Sequence, residues 1–217
     1  MNASIRIDPK TDVLGIIDVQ PTFMEGGGLP VPDGESVVGV INALAPAFRN
    51  RFATRDAHPP GHASFASTHG VEPYSEIKLP YGTQIAWPDH GIDGTAEAEL
   101  HPGLDRRGLS LIITKGADPG IDSYSGFLEN DRVTTTGLDG WMRAKGLTRL
   151  FLCGIATDFC VAFTAEEAIR LGFEVVVIED ACRATGIPGS AEAARERLAA
   201  IGVRFIGSAD IMRETPA

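Results

Sequence analysis

Short, fully apolar β-rich runs alternate along this chain with segments of helical periodicity, and that alternation restricts the fold more than any other feature. Val13 to Ile17 reads as a buried strand. Val37, Ile41, Leu44 and Phe48 then share one helical face, in a helix that Pro46 should kink or shorten. Phe52 to Thr54, Leu109 to Thr114, Arg149 to Cys153, Glu174 to Ile178 and Val203 to Ile206 read as further strands. Helical patterns fall at Leu138 to Ala144, on Val161, Ala165, Ala168 and Ile169, and at Ala191 to Ala200. Strands with no polar face, separated by helices, indicate a parallel sheet covered on both sides. The expected fold is α/β, a three-layer α/β/α sandwich around a mainly parallel sheet of about six strands.

Residues 55–108 break the pattern with many Gly, Pro, His and Asp residues. So long a structureless loop is uncommon in a compact domain. Phe65, Tyr74, Tyr81 and Trp87 argue that it is ordered. Residues 1–217 are therefore read as a single domain with a loop excursion at about 55–108. The formal charge of −10 argues against nucleic acid or an anionic membrane as a partner, but not against a small neutral substrate. No apolar run approaches the length of a membrane span. The first ten residues hold no apolar leader core, and the three cysteines suggest neither a disulfide framework nor a zinc knuckle. A reducing cytoplasm is expected.

In α/β sheets of this kind, ligands bind beyond the C-terminal ends of the strands. Asp18, Lys115 and Cys160 each follow a strand directly or closely. Cys160 also opens a helix, where the positive end of the helix dipole favours a thiolate. Cysteine hydrolysis needs a nucleophile, a proton acceptor and oxyanion donors. No histidine follows a strand end, so Asp18 is the candidate base, and Lys115 would hold both groups. Taken singly, each has an ordinary alternative: a turn residue at Asp18, a surface lysine at Lys115, a small core residue at Cys160. Their placement together at three strand ends favours chemistry. Cys153 and Cys182 read as packing residues. Asp56 and His58, two apart in an extended segment, point to one side, and His90 could complete a 2-His-1-carboxylate metal set. His62, His69 and His101 compete on spacing alone.

Several segments together resemble the nicotinamidase branch of the isochorismatase-like cysteine hydrolases. They are Gly15-Ile16-Ile17-Asp18-Val19-Gln20 with Phe23, Thr54-Arg55-Asp56-Ala57-His58-Pro59 with His62-Ala63-Ser64-Phe65, and Trp87-Pro88-Asp89-His90 with Gly94-Thr95. Lys115-Gly116 with Asp122-Ser123-Tyr124-Ser125-Gly126-Phe127, Gly154-Ile155-Ala156-Thr157-Asp158-Phe159-Cys160-Val161, and Asp180-Ala181-Cys182-Arg183-Ala184 complete the match. The chain departs from the family pattern at Ala57, often tryptophan, and at Gly91, often cysteine.

The resemblance implies an Asp18, Lys115, Cys160 triad and one divalent metal on Asp56, His58 and His90, zinc first with iron and manganese as alternatives. It also implies a cis peptide between Ile155 and Ala156 that aims the Ala156 N–H at an oxyanion beside that of Cys160. Phe23, Trp87 and Tyr124 would wall the substrate. The implied reaction is hydrolysis of nicotinamide to nicotinate and ammonia through a thioester. Alternatives are pyrazinamide, a carbamoyl compound or maleamate, direct activation of water by the metal, or a non-enzymatic binding module. A homo-oligomer, a dimer first, is implied as well.

Overall fold

The computed structural model describes residues 4–212. Six parallel strands make the central sheet: β1 (Asp12–Ile17), β2 (Asn50–Asp56), β3 (Leu111–Lys115), β4 (Arg149–Ile155), β5 (Glu174–Arg183) and β6 (Arg204–Ile206). Their spatial order is β3-β2-β1-β4-β5-β6, every neighbouring pair parallel. β1 is buried along its whole length, and β4 at all but its first residue. These two lie at the centre, which is why they carry no alternation of polar and apolar residues.

The helices α1 (Ser36–Leu44), α2 (Leu138–Ala144), α3 (Ala162–Arg170) and α4 (Ser190–Ala200) cross between strands. From β1 the chain steps outward through β2 to β3. From β4 it steps the opposite way to β5 and β6, and with crossovers of the usual right hand this reversal puts helices on both faces. Phe48, just after α1, meets Phe151 of β4 at 5.1 Å, and Trp141 of α2 meets Phe52 of β2 at 6.1 Å. α1 does stop at Leu44, and Pro46 sits in the short 3-10 turn Ala45–Ala47 that follows.

Several boundaries differ from the sequence reading. The third strand begins at Leu111 rather than Leu109, and β5 runs on to Arg183, which takes Cys182 into the sheet. There Cys182 pairs in register with Gly154. Outside the main sheet, Ile5–Arg6 pairs in parallel with Ile211–Met212.

The excursion is ordered by its own backbone bonds. It holds a helical turn, Ala66–His69, and an antiparallel hairpin of Glu76–Leu79 with Gly82–Ile85. Its return lies alongside its start: the His58 N–H donates to the Gly91 carbonyl at 2.8 Å, and the Asp93 N–H to the His58 carbonyl at 2.8 Å. That pairing brings His90 back to His58.

The order of the sheet reverses between β1 and β4, the topological position where α/β sheets open a crevice. Gly154 lets these two strands come close there. Its φ is +115°, and a Cβ would sit 2.0 Å from the Ile17 carbonyl oxygen.

Candidate active site and metal centre

Every strand end around the crevice delivers a polar group. Asp18 directly follows β1, with a left-handed φ of +46° that aspartate tolerates. Asp56 ends β2 and Lys115 ends β3. After β4 the Ile155–Ala156 peptide is cis, and the π-helical turn Thr157–Val161 carries Cys160 into α3.

Lys115 is the hub. Its Nζ lies 2.9 Å from Asp18 Oδ2, 3.0 Å from Asp56 Oδ1, 2.9 Å from the Ser123 carbonyl and 3.5 Å from Cys160 Sγ. All four side chains are buried, Asp18 and Lys115 completely. The Thr54 hydroxyl donates to Asp18 Oδ1 at 2.6 Å and accepts the Asp18 N–H at 3.1 Å. Thr164 donates to the Cys160 carbonyl at 2.6 Å. The Asp158 carboxylate accepts the Thr185 N–H at 3.0 Å and the Thr185 hydroxyl at 2.5 Å, which ties the cysteine turn to the end of β5.

Burial disfavours charge on Lys115, yet Asp18 and Asp56 hold its amine well above the ordinary lysine value. Burial pushes the Asp18 carboxyl up, and the Asp56 charge adds to that, against the pull of Lys115. Burial likewise pushes the Cys160 thiol well up, Lys115 opposing and the two aspartates adding. Desolvation and the two nearby carboxylates raise this thiol further than Lys115 lowers it, against the direction expected from the helix start alone.

Asp56 faces a second group with its other oxygen. Oδ2 lies 3.2 Å from His58 Nε2 and 3.4 Å from His90 Nε2. The opposite nitrogens are engaged with backbone: His58 Nδ1 donates to the Gly116 carbonyl at 2.9 Å, and His90 Nδ1 to the Pro88 carbonyl at 2.7 Å. Those bonds aim both Nε2 atoms inward as acceptors, the arrangement by which proteins orient metal-binding imidazoles. His58 Nε2 is buried with no hydrogen-bond partner, and the three ligand atoms lie within 4.8 Å of one another. Burial opposes charge on His58, but the Asp56 carboxylate raises its imidazole to about 9, and a bound cation would take the place of that Nε2 proton. Two histidines, a carboxylate and an orphaned nitrogen fit a divalent metal.

Of the competing histidines, His69 and His101 are committed elsewhere, whereas His62 also falls in a second buried group with His58 and Asp122 whose ligand atoms lie within 4.8 Å of one another. His62 accepts from the Ser64 hydroxyl at 2.8 Å and donates to the Asp118 carbonyl at 2.9 Å. His69 bonds to the Ala63 carbonyl, and His101 pairs with Glu35.

Between the thiol and the metal-fit cluster lies an apolar pocket walled by Phe23, Trp87, Tyr124 and Phe159, with Leu29 and Val31. Trp87 stands edge-on to Phe159 at 4.8 Å and donates Nε1–H to Tyr124 Oη at 2.9 Å. Phe23, Trp87 and Tyr124 are the walls expected from the sequence, and Phe159 joins them, signalled in the chain only by its place beside Cys160. Leu29, Val31 and Thr185 reach the pocket from loops and carried no such signal. Gln20 and Thr54 were also unassigned, although both lie within two residues of a named aspartate. At Gly91, φ is +54° and a Cβ would sit 2.9 Å from the Asp56 carbonyl oxygen, so this backbone has no room for the side chain often found there in the family.

A parallel α/β fold with a lysine-linked thiol and carboxylate at its switch point is the framework of a cysteine hydrolase. Residues 12–210 match the isochorismatase domain, and the chain belongs to that family. A curated relative, the nicotinamidase of Acinetobacter baylyi (strain ATCC 33305 / BD413 / ADP1), is 46% identical over 198 residues, covering 91% of this chain and 92% of its own. Among solved structures, the Acinetobacter baumanii nicotinamidase/pyrazinamidase superposes with a TM-score of 0.92 at 44% identity, covering 95% of this chain and all of that one. PnC1 from L. infantum in complex with nicotinate gives 0.86 at 38% identity, with 97% and 100% covered. The pyrazinamidase of Pyrococcus horikoshii in complex with zinc gives 0.73 at 30% identity, with 90% and 98% covered.

Proposed function

We propose that this enzyme is a nicotinamidase, hydrolysing nicotinamide to nicotinate and ammonia through a thioester on Cys160. The observation that carries the reading is the shared carboxylate of Asp56. One oxygen meets Lys115 beside the thiol, and the other meets the two histidines. A single residue thus joins an amide-cleaving group to a cluster suited to a ring nitrogen, across an aromatic-walled pocket. The nicotinamidase and pyrazinamidase relatives support the same substrate class.

A divalent ion on Asp56, His58 and His90 would supply a Lewis-acidic anchor for the pyridine nitrogen; zinc is the ion proposed, as in the zinc-bound relative. Phe23, Trp87, Tyr124 and Phe159 hold the ring faces and exclude water. Asp18, its basicity raised by burial, accepts the thiol proton as Sγ bonds to the carboxamide carbon. Lys115 keeps its proton and stabilises the ionised groups, and the Ala156 and Cys160 N–H groups receive the oxyanion. The C–N bond then breaks as Asp18 returns the proton to the departing ammonia. Asp18 next takes a proton from the attacking water, the C–S bond breaks, and Sγ recovers its proton as nicotinate leaves.

Cys160→Ala is expected to abolish ammonia release while retaining bound metal and ring binding. Near-normal ammonia release from this variant would overturn the thioester scheme. Turnover across nicotinamide, pyrazinamide and small aliphatic amides separates the proposed substrate from its alternatives. A cytoplasmic homodimer completes the reading, with the dimer open to sedimentation analysis.

A further inference from the structure

Gln20 is wholly buried two residues beyond Asp18, where the β1 backbone has stopped pairing with β2. The last β1–β2 register pair is Ile16 with Ala53, so no main chain of β1 reaches Asp56. The Gln20 side chain does. Its Oε1 accepts the Asp56 N–H at 2.8 Å, and its Nε2 donates to the Asp56 carbonyl at 2.8 Å and to the Ala98 carbonyl at 2.8 Å. One amide thereby satisfies both backbone groups of Asp56, as a neighbouring strand would, and ties them to the returning limb of the excursion that carries His90.

Both carboxylate oxygens of Asp56 are committed, one to Lys115 and one to the histidine pair. A small rotation of its backbone would spoil at least one of these contacts. We infer that Gln20 is a positioning residue for the metal cluster: its amide replaces the missing strand partner of Asp56 and fixes the carboxylate toward His58 and His90. This rests on the metal-binding reading of the site.

The test is zinc affinity of the metal-stripped full chain, measured against a competing chelator. Gln20→Met keeps the length and loses all three hydrogen bonds. Its affinity should fall roughly 10- to 100-fold, the range for lost partners of metal ligands. The KM for nicotinamide should rise at limiting zinc and recover with excess zinc, kcat changing little. Ile41→Ala, on the buried face of α1, serves as a stability control and should keep wild-type zinc affinity at a comparable loss of Tm.

Unchanged zinc affinity in folded Gln20→Met, or an equal loss in Ile41→Ala, would overturn the inference and leave Gln20 a general packing residue. Should Gln20→Met not fold, Gln20→Glu decides. It keeps the acceptor for the Asp56 N–H and sets an oxygen against two carbonyls, so weakened zinc binding supports the inference and wild-type binding overturns it. If the wild-type chain takes up no zinc, the metal reading fails and this inference with it, an outcome distinct from a Gln20 variant that binds normally.

Discussion

Lys115→Met removes the one cation from a buried cluster that also contains Asp18 and Asp56. In the native cluster Lys115 Nζ meets both carboxylates at 2.9 and 3.0 Å, with no solvent exposure on Asp18 or Lys115. Truncating one partner of a buried ion pair leaves the other charged and unsolvated, at a cost of about 3–5 kcal/mol. For a chain of this size that corresponds to a fall in Tm of roughly 6–20 °C.

The sign of the pH dependence contributed by the hub's base follows from Asp18. Asp18 is already raised above its ordinary value by burial, and loss of the opposing lysine raises it further. A carboxyl raised in the folded state binds protons more tightly there than in the unfolded chain. The contribution of Asp18 to the variant's stability should therefore be fully present below the unfolded carboxyl value and be lost as pH rises through the raised folded one. Urea denaturation of metal-stripped wild type and variant across pH reads both quantities. The double variant Asp18→Asn/Lys115→Met should recover part of the loss, because one uncompensated carboxylate is gone. A loss below about 1 kcal/mol at neutral pH, the ordinary worth of an exposed pair, would refute the account of a desolvated hub, as would a stability difference independent of pH.

Thr54→Val deletes the 2.6 Å hydrogen bond that lowers the Asp18 carboxyl. Since the proposed base works ionised, the acid limb of the kcat/KM profile should move to higher pH, and an unmoved limb would argue against Asp18 as the base. Gly154→Ala places a Cβ 2.0 Å from the Ile17 carbonyl oxygen at a φ of +115°. Calorimetry should find it destabilised by several kcal/mol, roughly the scale of severe core strain, and a loss within about 0.5 kcal/mol would mean that β1 and β4 separate freely.

Much of the molecule is legible in one dimension because its determinants are local. The central strands β1 and β4 are buried on both sides, so each appears as a nearly uninterrupted apolar run, and the strand ends mark the functional rim. Asp18, Lys115 and Cys160 can be picked out on that ground alone. Pro46 ends α1 for an equally local reason, the missing N–H and the fixed φ of the ring. Phe159, Gln20 and the loop residues Leu29 and Val31 have no periodic signature. Their roles arise from backbone that turns away after a strand or crosses the pocket from elsewhere.

The chain by itself thus determined the parallel α/β sheet, the strand ends that bear chemistry, and the residue types suited to a thiol hydrolase and a metal. Only the tertiary structure set His90 beside Asp56 and His58, by returning the excursion along its own start, while His69 bonds to the Ala63 carbonyl and His101 pairs with Glu35. It also set the direction in which the Cys160 thiol is shifted, upward. Desolvation and the fields of Asp18, Asp56 and Lys115 are long-range sums over four strand ends, and no local pattern along the chain encodes them.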